Sequence, residues 1–319
     1  MHHPSFLPKG VIPAVLLPFT PDLAIDEAAF RAHLRDVAAA PGLSAITVNA
    51  HSTEAASCTF DEQKRVMDIA QDEIGARLPI VHGVYAEGSL EAARIAKQAA
   101  IGGASALLVF PPGPFTMGHR PEMVIDHFKR VADAAPGLPI IAFNYPLAIN
   151  QGYTTEMIVK LAEAVPSVRA IKDWCNHPVQ HERNIRVLQG LGKPVTVLST
   201  HSAWLFSSLV LGCCGLLSGS GSVIAGLQSD LFQAVQNNDL AAAKRINDRI
   251  YPLAEVFYAA PAVDMHNRMK EALVLLGKLK CPAVRPPLYK IPADEIARIR
   301  TALVKVGLLG EDRRRVAAE

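Results

Sequence analysis

A lysine at the end of an apolar segment is the residue in this sequence best suited to chemistry. Lys172 closes the run that starts at Ser167 and is followed by Asp173 and Trp174. An amine that points from a strand end into an apolar mouth loses solvation, which lowers its pKa and makes it a nucleophile. Position alone favours an ordinary lysine that extends to solvent, so a catalytic interpretation depends on the surrounding residues.

Short apolar segments alternate with stretches of helical periodicity along most of the chain. In residues 26–39, for example, Phe30 and Leu34 fall on one helical face. Thr59 followed by Glu62 predicts a capping box at the start of the next helix. We predict strands at Ile12–Leu17, Ala45–Val48, Pro79–Gly83, Ala106–Phe110, Pro139–Phe143, Val168–Lys172, Val195–Leu198 and Gly215–Ser218.

Eight strand-and-helix units predict a (β/α)8 TIM barrel over residues 1–222, with C-terminal helices over 223–319 packed on it as one structural unit. An open doubly wound sheet is the competing architecture. It requires a glycine-rich phosphate loop after the first strand, and residues 16–20 do not form one. The C-terminal helices are predicted at Val223–Asn237, Leu240–Tyr258, Asp264–Leu279 and Ala293–Val304.

The composition argues against several classes of partner. Of 319 residues, 50% are apolar and the net charge is only +2, so nothing indicates a nucleic-acid partner, and the basic run 313–315 is expected to be a solvated tail. No apolar stretch reaches the ~20 residues that span a bilayer, and no signal peptide is evident. Five cysteines without a CxxC pair predict free thiols and a cytoplasmic protein.

The predicted strand ends carry further residues with chemical potential. His51, Ser52 and Thr53 follow the second strand, and Phe143 and Tyr145 lie at the end of the fifth. Consecutive backbone amides beside small hydroxyl side chains suit an anion such as a carboxylate, although an ordinary capped turn has the same composition. In a barrel of this type, functional residues collect at this end of the strands.

The order of these motifs resembles the pyruvate-dependent class I lyase family of dihydrodipicolinate synthase and N-acetylneuraminate lyase. The resemblance covers roughly residues 10–308. The matching motifs are Gly10–Ala14 with Pro18–Thr20, Ser52–Glu54, Asn144 with Pro146, Ile171–Asp173, and the glycine-rich run around Ser218.

The resemblance implies a chemistry and an assembly. Lys172 would attack the ketone of a 2-oxo acid, usually pyruvate, and form a Schiff base without any cofactor. Ser52 and Thr53 would hold the substrate carboxylate, and the small residues around Ser218 would leave room at the mouth. The family also implies a homotetramer built as a dimer of dimers. We expect no membrane and no nucleic-acid partner.

Two departures from the family pattern concern proton transfer. The family usually has a tyrosine where this sequence has Phe143, which cannot move a proton. Tyr145 lies two residues on, on the same face of an extended strand, and either supplies a hydroxyl or packs at the barrel rim. His51 replaces a threonine that normally relays to that tyrosine, and it is either an acid/base candidate or a solvated loop residue.

Two further departures concern the second half of the substrate. The loop 111–115 lacks the tyrosine that a neighbouring subunit normally inserts, and no arginine follows Pro146, which argues against dihydrodipicolinate synthesis. Trp174 stands where the family tends to have small residues, and Ser199–His201 replaces a glycine–acid turn. Trp174 could wall an apolar or aromatic pocket, or simply pack at the rim.

The remaining histidines do not predict a metal site. His177, His181, His201 and His266 lack the spacing of metal ligands. Glu54 is expected to order its loop as a hydrogen-bond acceptor rather than to act as a general base.

Three functions are therefore open from the sequence. The leading hypothesis is a Schiff-base lyase or aldolase that acts on a 2-oxo acid through Lys172, with Tyr145 and His51 as candidate proton shuttles. The second is a dehydratase or hydratase-aldolase on a 2-oxo-3-deoxy sugar acid or an aryl-substituted 2-oxo acid. The third is a non-catalytic protein that binds a 2-oxo acid.

Overall fold

A barrel of eight parallel strands forms the centre of the protein in a computed structural model that describes residues 6–310. The basic run 313–315 lies outside the described residues. The strands are β1 (Gly10–Pro13), β2 (Ile46–Val48), β3 (Ile80–Val84), β4 (Ala106–Val109), β5 (Ile140–Asn144), β6 (Val168–Asp173), β7 (Thr196–Ser199) and β8 (Gly215–Ser218).

The strands pair in the order β1-β8-β7-β6-β5-β4-β3-β2. Two isolated parallel bridges, Val11 with Leu43 and Ala14 with Thr47, join β1 to the β2 segment and close the ring. The predicted (β/α)8 barrel is confirmed.

Helices connect the strands and continue after the last one. The barrel helices are α1 (Glu27–Ala38), α2 (Phe60–Ile74), α3 (Ser89–Ile101), α4 (Pro121–Ala134), α5 (Thr155–Ala164), α6 (Pro178–Gln189), α7 (Leu205–Val210) and α8 (Gly221–Gln236). The helices α9 (Leu240–Phe257), α10 (Met265–Leu275) and α11 (Ala293–Lys305) follow. The expected domain boundary after residue 222 falls inside α8, which packs on β1 and β8.

Local sequence explains where several helices begin. The side chain of Thr59 accepts the backbone N–H of Glu62, and the Glu62 carboxylate accepts that of Thr59, so the predicted capping box is confirmed. Helices α1, α5 and α9 have simpler caps, in which a side chain accepts one backbone N–H; the capping residues are Asp26, Thr154 and Asp239. None of the described helices combines the length and apolarity that a bilayer span requires.

Two predicted boundaries were wrong. We expected the first strand at Ile12–Leu17, but its ladder ends at Pro13, which pairs with the last residue of β8. Residues 14–17 remain buried beyond this ladder, and of them only Ala14 forms an isolated bridge, to Thr47, because apolar periodicity reports burial rather than pairing. The helix predicted at 264–279 ends at Leu275, shortly before Gly277 with a φ of 73°.

Side chains inside the barrel form a core separate from the layer between strands and helices. In β6, Ala170 belongs to the inner core and Ile171 to the outer layer. Because side chains alternate along a strand, Lys172 points inward, as Ala170 does. The inner core thus ends, at the carboxyl side of β6, in an amine.

Candidate active site

Lys172 lies in an apolar environment at the barrel mouth. Lys172 is only 6% exposed, and it pairs with Phe143 where β6 lies beside β5. The Nζ atom lies 4.1 Å from the centroid of the Phe143 ring. Burial lowers the pKa of Lys172 to about 7. Near neutral pH a large share of the amine is therefore uncharged and nucleophilic.

A cavity of about 260 Å³ lies above this amine. Five of the residues predicted from the sequence line it: His51, Ser52, Phe143, Lys172 and Trp174. Strands β2, β5 and β6, far apart in sequence, bring these side chains to one end of the barrel. The expected clustering at the carboxyl ends of the strands is thus present.

The loop after β2 offers a hydroxyl to the cavity. The Ser52 Oγ is buried and has no hydrogen-bond partner among the described residues. Thr53 differs from our expectation, because its hydroxyl accepts the Ala50 N–H at 2.6 Å and donates to the Ala50 carbonyl at 2.9 Å. It is also not a residue of the cavity wall. Ser52 can therefore receive a carboxylate, whereas the Thr53 side chain shapes the loop.

Glu54 fixes this loop to the C-terminal helices, as expected for a loop-ordering acceptor. Its carboxylate accepts hydrogen bonds from Lys270 Nζ at 2.5 Å and from the Arg285 backbone N–H at 3.0 Å. Glu54 itself adopts a left-handed backbone conformation with a φ of 50°. Because Lys270 and Glu54 are both buried, their pairing offsets the cost of removing both charges from water.

His51 and Tyr145 form a hydrogen-bonded pair. The Tyr145 hydroxyl and His51 Nε2 lie 3.1 Å apart. Burial, together with the positive charge of Lys172, lowers the pKa of His51 to about 3. Burial raises the pKa of Tyr145 well above its usual value. Both groups are therefore neutral near pH 7, with the phenol protonated and the imidazole uncharged.

Of these two residues, His51 is the one at the cavity. The His51 side chain belongs to the wall, whereas Tyr145 lies behind it, in contact with the wall residues His51, Phe143 and Trp174. The Tyr145 ring stacks on Phe143 with centroids 4.3 Å apart. Phe143 and Tyr145 both belong to the inner core, which confirms the expectation that they lie on the same face of the strand.

Trp174 and Ser218 have different environments. Trp174 follows β6 on the cavity wall, in edge contact with Tyr145. We expected Ser218 to border the mouth, but it is fully buried behind the wall. Its hydroxyl lies 3.0 Å from that of Ser220, because strand alternation at the end of β8 turns it toward neighbouring serines. The adjacent Gly219 faces the cavity instead.

A buried carboxylate next to the lysine ties β5, β6 and α6 together. Asp173 accepts hydrogen bonds from Asn144, Asn184, His181 and the Cys175 backbone at 2.8 to 3.1 Å. Burial alone would raise the pKa of Asp173, but the hydrogen bond and charge of His181 and the other partners lower it. This network fixes the strand end that carries Lys172.

The same network contains potential metal ligands that the sequence did not reveal. Ligand atoms of Cys175, His181 and His201 lie within 4.8 Å of one another, although their spacing in the chain follows no metal motif. Nδ1 of His181 is bonded to Asp173, and Nε2 of His201 accepts the Asn176 N–H at 3.1 Å. Nε2 of His181 has no hydrogen-bond partner among the described residues, but Nε2 of His201 is occupied and burial raises the pKa of the Cys175 thiol, so the absence of a metal site stays a prediction.

Several wall residues were not predicted as site residues from the sequence. They are Asn176, Thr200, His201, Ser202, Ala203, Trp204, Tyr258, Ala262, Met265 and His266. The last four belong to the C-terminal helices or their connections. No sequence signal marks α10 as part of the site, because charged and apolar side chains are buried along it together. His266 is one of them, and burial lowers its pKa well below the usual value.

Comparison with known proteins agrees with this architecture. A sequence model of the dihydrodipicolinate synthetase family matches residues 7–305. The 4-hydroxy-tetrahydrodipicolinate synthase of Salinibacter ruber is 31% identical over 293 residues, which are 92% of each chain. The Escherichia coli (strain K12) protein named "Putative 2-dehydro-3-deoxy-D-gluconate aldolase YagE" is 26% identical over 95% of this chain and 99% of its own.

Solved structures agree as well. The crystal structure of YagE in complex with pyruvate superposes with a TM-score of 0.87 at 25% identity, over 95% of this chain and all of the other. The dihydrodipicolinate synthase of Thermotoga maritima, at 20% identity and a TM-score of 0.86, shows the same fold. With a family model that spans almost the whole described chain and a relative above 30% identity, the protein belongs to the dihydrodipicolinate synthetase family of lyases and aldolases.

Proposed function

We propose that the protein is a class I lyase that cleaves, or in reverse forms, the C3–C4 bond of a 4-hydroxy-2-oxo acid through a Schiff base on Lys172. The observation that carries the proposal is the burial of this amine, whose pKa falls to about 7, at the floor of a cavity. A buried lysine without a carboxylate partner costs stability, and such a cost is typical of residues at functional sites.

The reaction follows from the groups at the cavity wall. The neutral Lys172 amine adds to the C2 carbonyl, and loss of water gives a protonated imine. As the C3–C4 bond breaks, its electron pair moves into the iminium to form an enamine, and the C4 hydroxyl loses its proton to a base. The aldehyde leaves, the enamine takes a proton at C3, and water releases pyruvate and the free lysine.

Four residues support these steps. Ser52, with its unpartnered buried hydroxyl, would bind the carboxylate of the oxo acid. His51, neutral and at the wall, would accept and return the proton, with Tyr145 orienting it. The face of Phe143 would stabilise the cationic imine through its π electrons.

Dihydrodipicolinate synthesis fits these residues less well, even though several relatives carry that name. An aldehyde that bears a carboxylate needs a cation to bind it. Within the described chain, no arginine lines the cavity above Lys172. The YagE relative is named for 2-dehydro-3-deoxy-D-gluconate, and that name supports a substrate whose second half carries no charge.

Replacement of the lysine tests the proposal. Lys172→Ala should lower pyruvate release from 4-hydroxy-2-oxo acids by at least about a thousandfold with the fold intact, because no other wall residue can form the imine. Lys160→Ala, which removes an exposed lysine on α5, should keep wild-type turnover. Retained turnover in Lys172→Ala would contradict the proposal. If the wild-type protein eliminates water from the substrate without releasing pyruvate, the enzyme is a dehydratase instead.

A further inference from the structure

A second cavity of about 430 Å³ adjoins the one above Lys172. Both are lined by the same five residues, His51, Trp174, Ala262, Met265 and His266. The two cavities are therefore adjacent, and these five residues border both of them. The second space would then lie next to the half of a Lys172-bound substrate that extends beyond the reacting carbon atoms.

The wall that belongs to the second cavity alone is mainly apolar. It consists of Ala55, Ala56, Ser57, Val263, Pro287 and Leu288, together with Pro286, Glu54 and Arg285. Alanine, valine, leucine and proline side chains donate and accept no hydrogen bonds. Binding at this wall therefore depends on burial of apolar surface, which contributes roughly 25 cal/mol per Å².

The polar side chains of this wall are already engaged within the protein. The Ser57 hydroxyl donates to the Glu54 carbonyl at 2.9 Å, and the Glu54 carboxylate is paired with Lys270. The Arg285 guanidinium donates to both oxygens of the Glu62 carboxylate at 2.6 and 2.8 Å. A polyhydroxylated or anionic group would have to compete with these bonds or lose hydrogen bonds to water without replacement.

Two residues of the shared wall are suited to the junction. The imidazole of His266 forms no hydrogen bond with another described residue, and its low pKa keeps it neutral. It can hydrogen-bond an oxygen at C4 of the substrate. Trp174 offers an aromatic ring to both spaces, and such rings favour stacked or edge contacts with another ring.

We propose that the substrate is a 4-hydroxy-2-oxo acid whose C4 substituent is apolar, an aromatic or branched aliphatic group seated in the second cavity, and that this half leaves as the corresponding aldehyde. The inference rests on the proposed function and narrows it. It favours an apolar aldehyde over the hydroxylated three-carbon aldehyde that a 2-dehydro-3-deoxy six-carbon sugar acid releases.

Selectivity between two aldehydes tests this inference in the condensation direction. With pyruvate as the common partner, kcat/KM for benzaldehyde should exceed that for glyceraldehyde by about tenfold or more. Val263→Asp places a carboxylate on the wall of the second cavity and should lower this ratio by about tenfold or more. Val179→Asp is the matched control on α6, since Val179 is 71% and Val263 62% exposed, and it should leave the ratio unchanged.

Trapping of pyruvate on wild-type protein with borohydride separates this inference from the proposed function. Absence of an adduct and of turnover overturns both. A trapped adduct with a preference for glyceraldehyde, or a ratio that Val263→Asp leaves unchanged, overturns only the apolar substituent. A change of mass in light scattering for Val263→Asp, with the ratio unchanged, would assign this surface to a contact between copies of the chain and also overturn it.

Discussion

At residue 143, a phenylalanine stands beside the reactive amine where the family pattern has tyrosine. The phenol is not lost from the barrel, because Tyr145 stacks behind Phe143 and hydrogen-bonds His51. The imidazole thereby becomes the group that faces the cavity. We therefore propose that the imidazole of His51, on the loop after β2, transfers the proton that a phenol on β5 transfers in the family pattern.

Substitutions at these three residues should therefore have unequal effects. His51→Phe keeps the aromatic packing against Phe110 but removes the base, and should lower kcat by about a hundredfold to a thousandfold. Tyr145→Phe removes only a hydroxyl that acts through His51, and should lower kcat by about tenfold. Phe143→Tyr should bring no gain. Steady-state turnover of each variant measures these effects.

The opposite ranking would contradict this assignment. A large gain in Phe143→Tyr would show that the site lacks a proton shuttle and that His51 does not provide one. A Tyr145→Phe loss as large as that of His51→Phe would make the phenol the reacting group.

At the scale of elements, the described part of the protein has two buried lysines, one at the cavity without a carboxylate partner and one in a structural ion pair. Lys172 at the end of β6 has an aromatic face beside it and a pKa lowered to about 7 by burial. Lys270 on α10 is also buried but paired with Glu54, and it joins α10 to the loop after β2. Burial of Lys172 is costly for folding, whereas Lys270 anchors the loop after β2.

The two lysines should respond oppositely to replacement by methionine. Lys172→Met should raise the free energy of unfolding at pH 7 by on the order of 3 kcal/mol, because the amine must lose its proton or be buried charged when the chain folds. Lys270→Met should lower it by roughly 3 to 5 kcal/mol, because the Glu54 carboxylate stays buried without its partner. Denaturant unfolding followed by tryptophan fluorescence measures both.

The pH dependence of the first effect has a definite sign. The folded pKa of Lys172, about 7, lies below its ordinary value of 10.5, so between these values the unfolded chain binds the extra proton. Wild-type stability therefore gains with rising pH over this window, and the advantage of Lys172→Met narrows from pH 7 to pH 10. An advantage that grows with pH, or a destabilised Lys172→Met, would contradict a neutral buried amine.

The elements differ in how far the sequence could specify them. The capping box at Thr59 and the position of Lys172 at a strand end depend on local spacing, and both were predicted. The β1 boundary depends on which partner lies across the barrel, and that expectation was wrong. The hydroxyls of Thr53 and Ser218 lie against Ala50 and Ser220, and the substrate contacts expected of these two residues stay predictions. Position within an apolar run does not determine whether a hydroxyl faces the cavity or a neighbouring backbone group.

At the scale of the molecule, the barrel supplies the lysine and the C-terminal helices cover it. Met265 and His266 on α10 complete the cavity wall, and Lys270 anchors the helix. The sequence predicted these helices but not their contribution to the site, because α10 buries its charged residues and has no clean apolar face. The homotetramer implied by the family, and a cytoplasmic location, stay predictions.

The imine itself is the central claim, and borohydride trapping measures it directly. Wild-type protein incubated with pyruvate and borohydride should gain one pyruvyl adduct in its intact mass, mapped to the peptide that contains Lys172. Its rate should rise with pH through about 7, because burial sets the pKa of the amine there. Folded protein that forms no adduct with pyruvate or with longer 2-oxo acids, or an adduct on another lysine, would contradict the account.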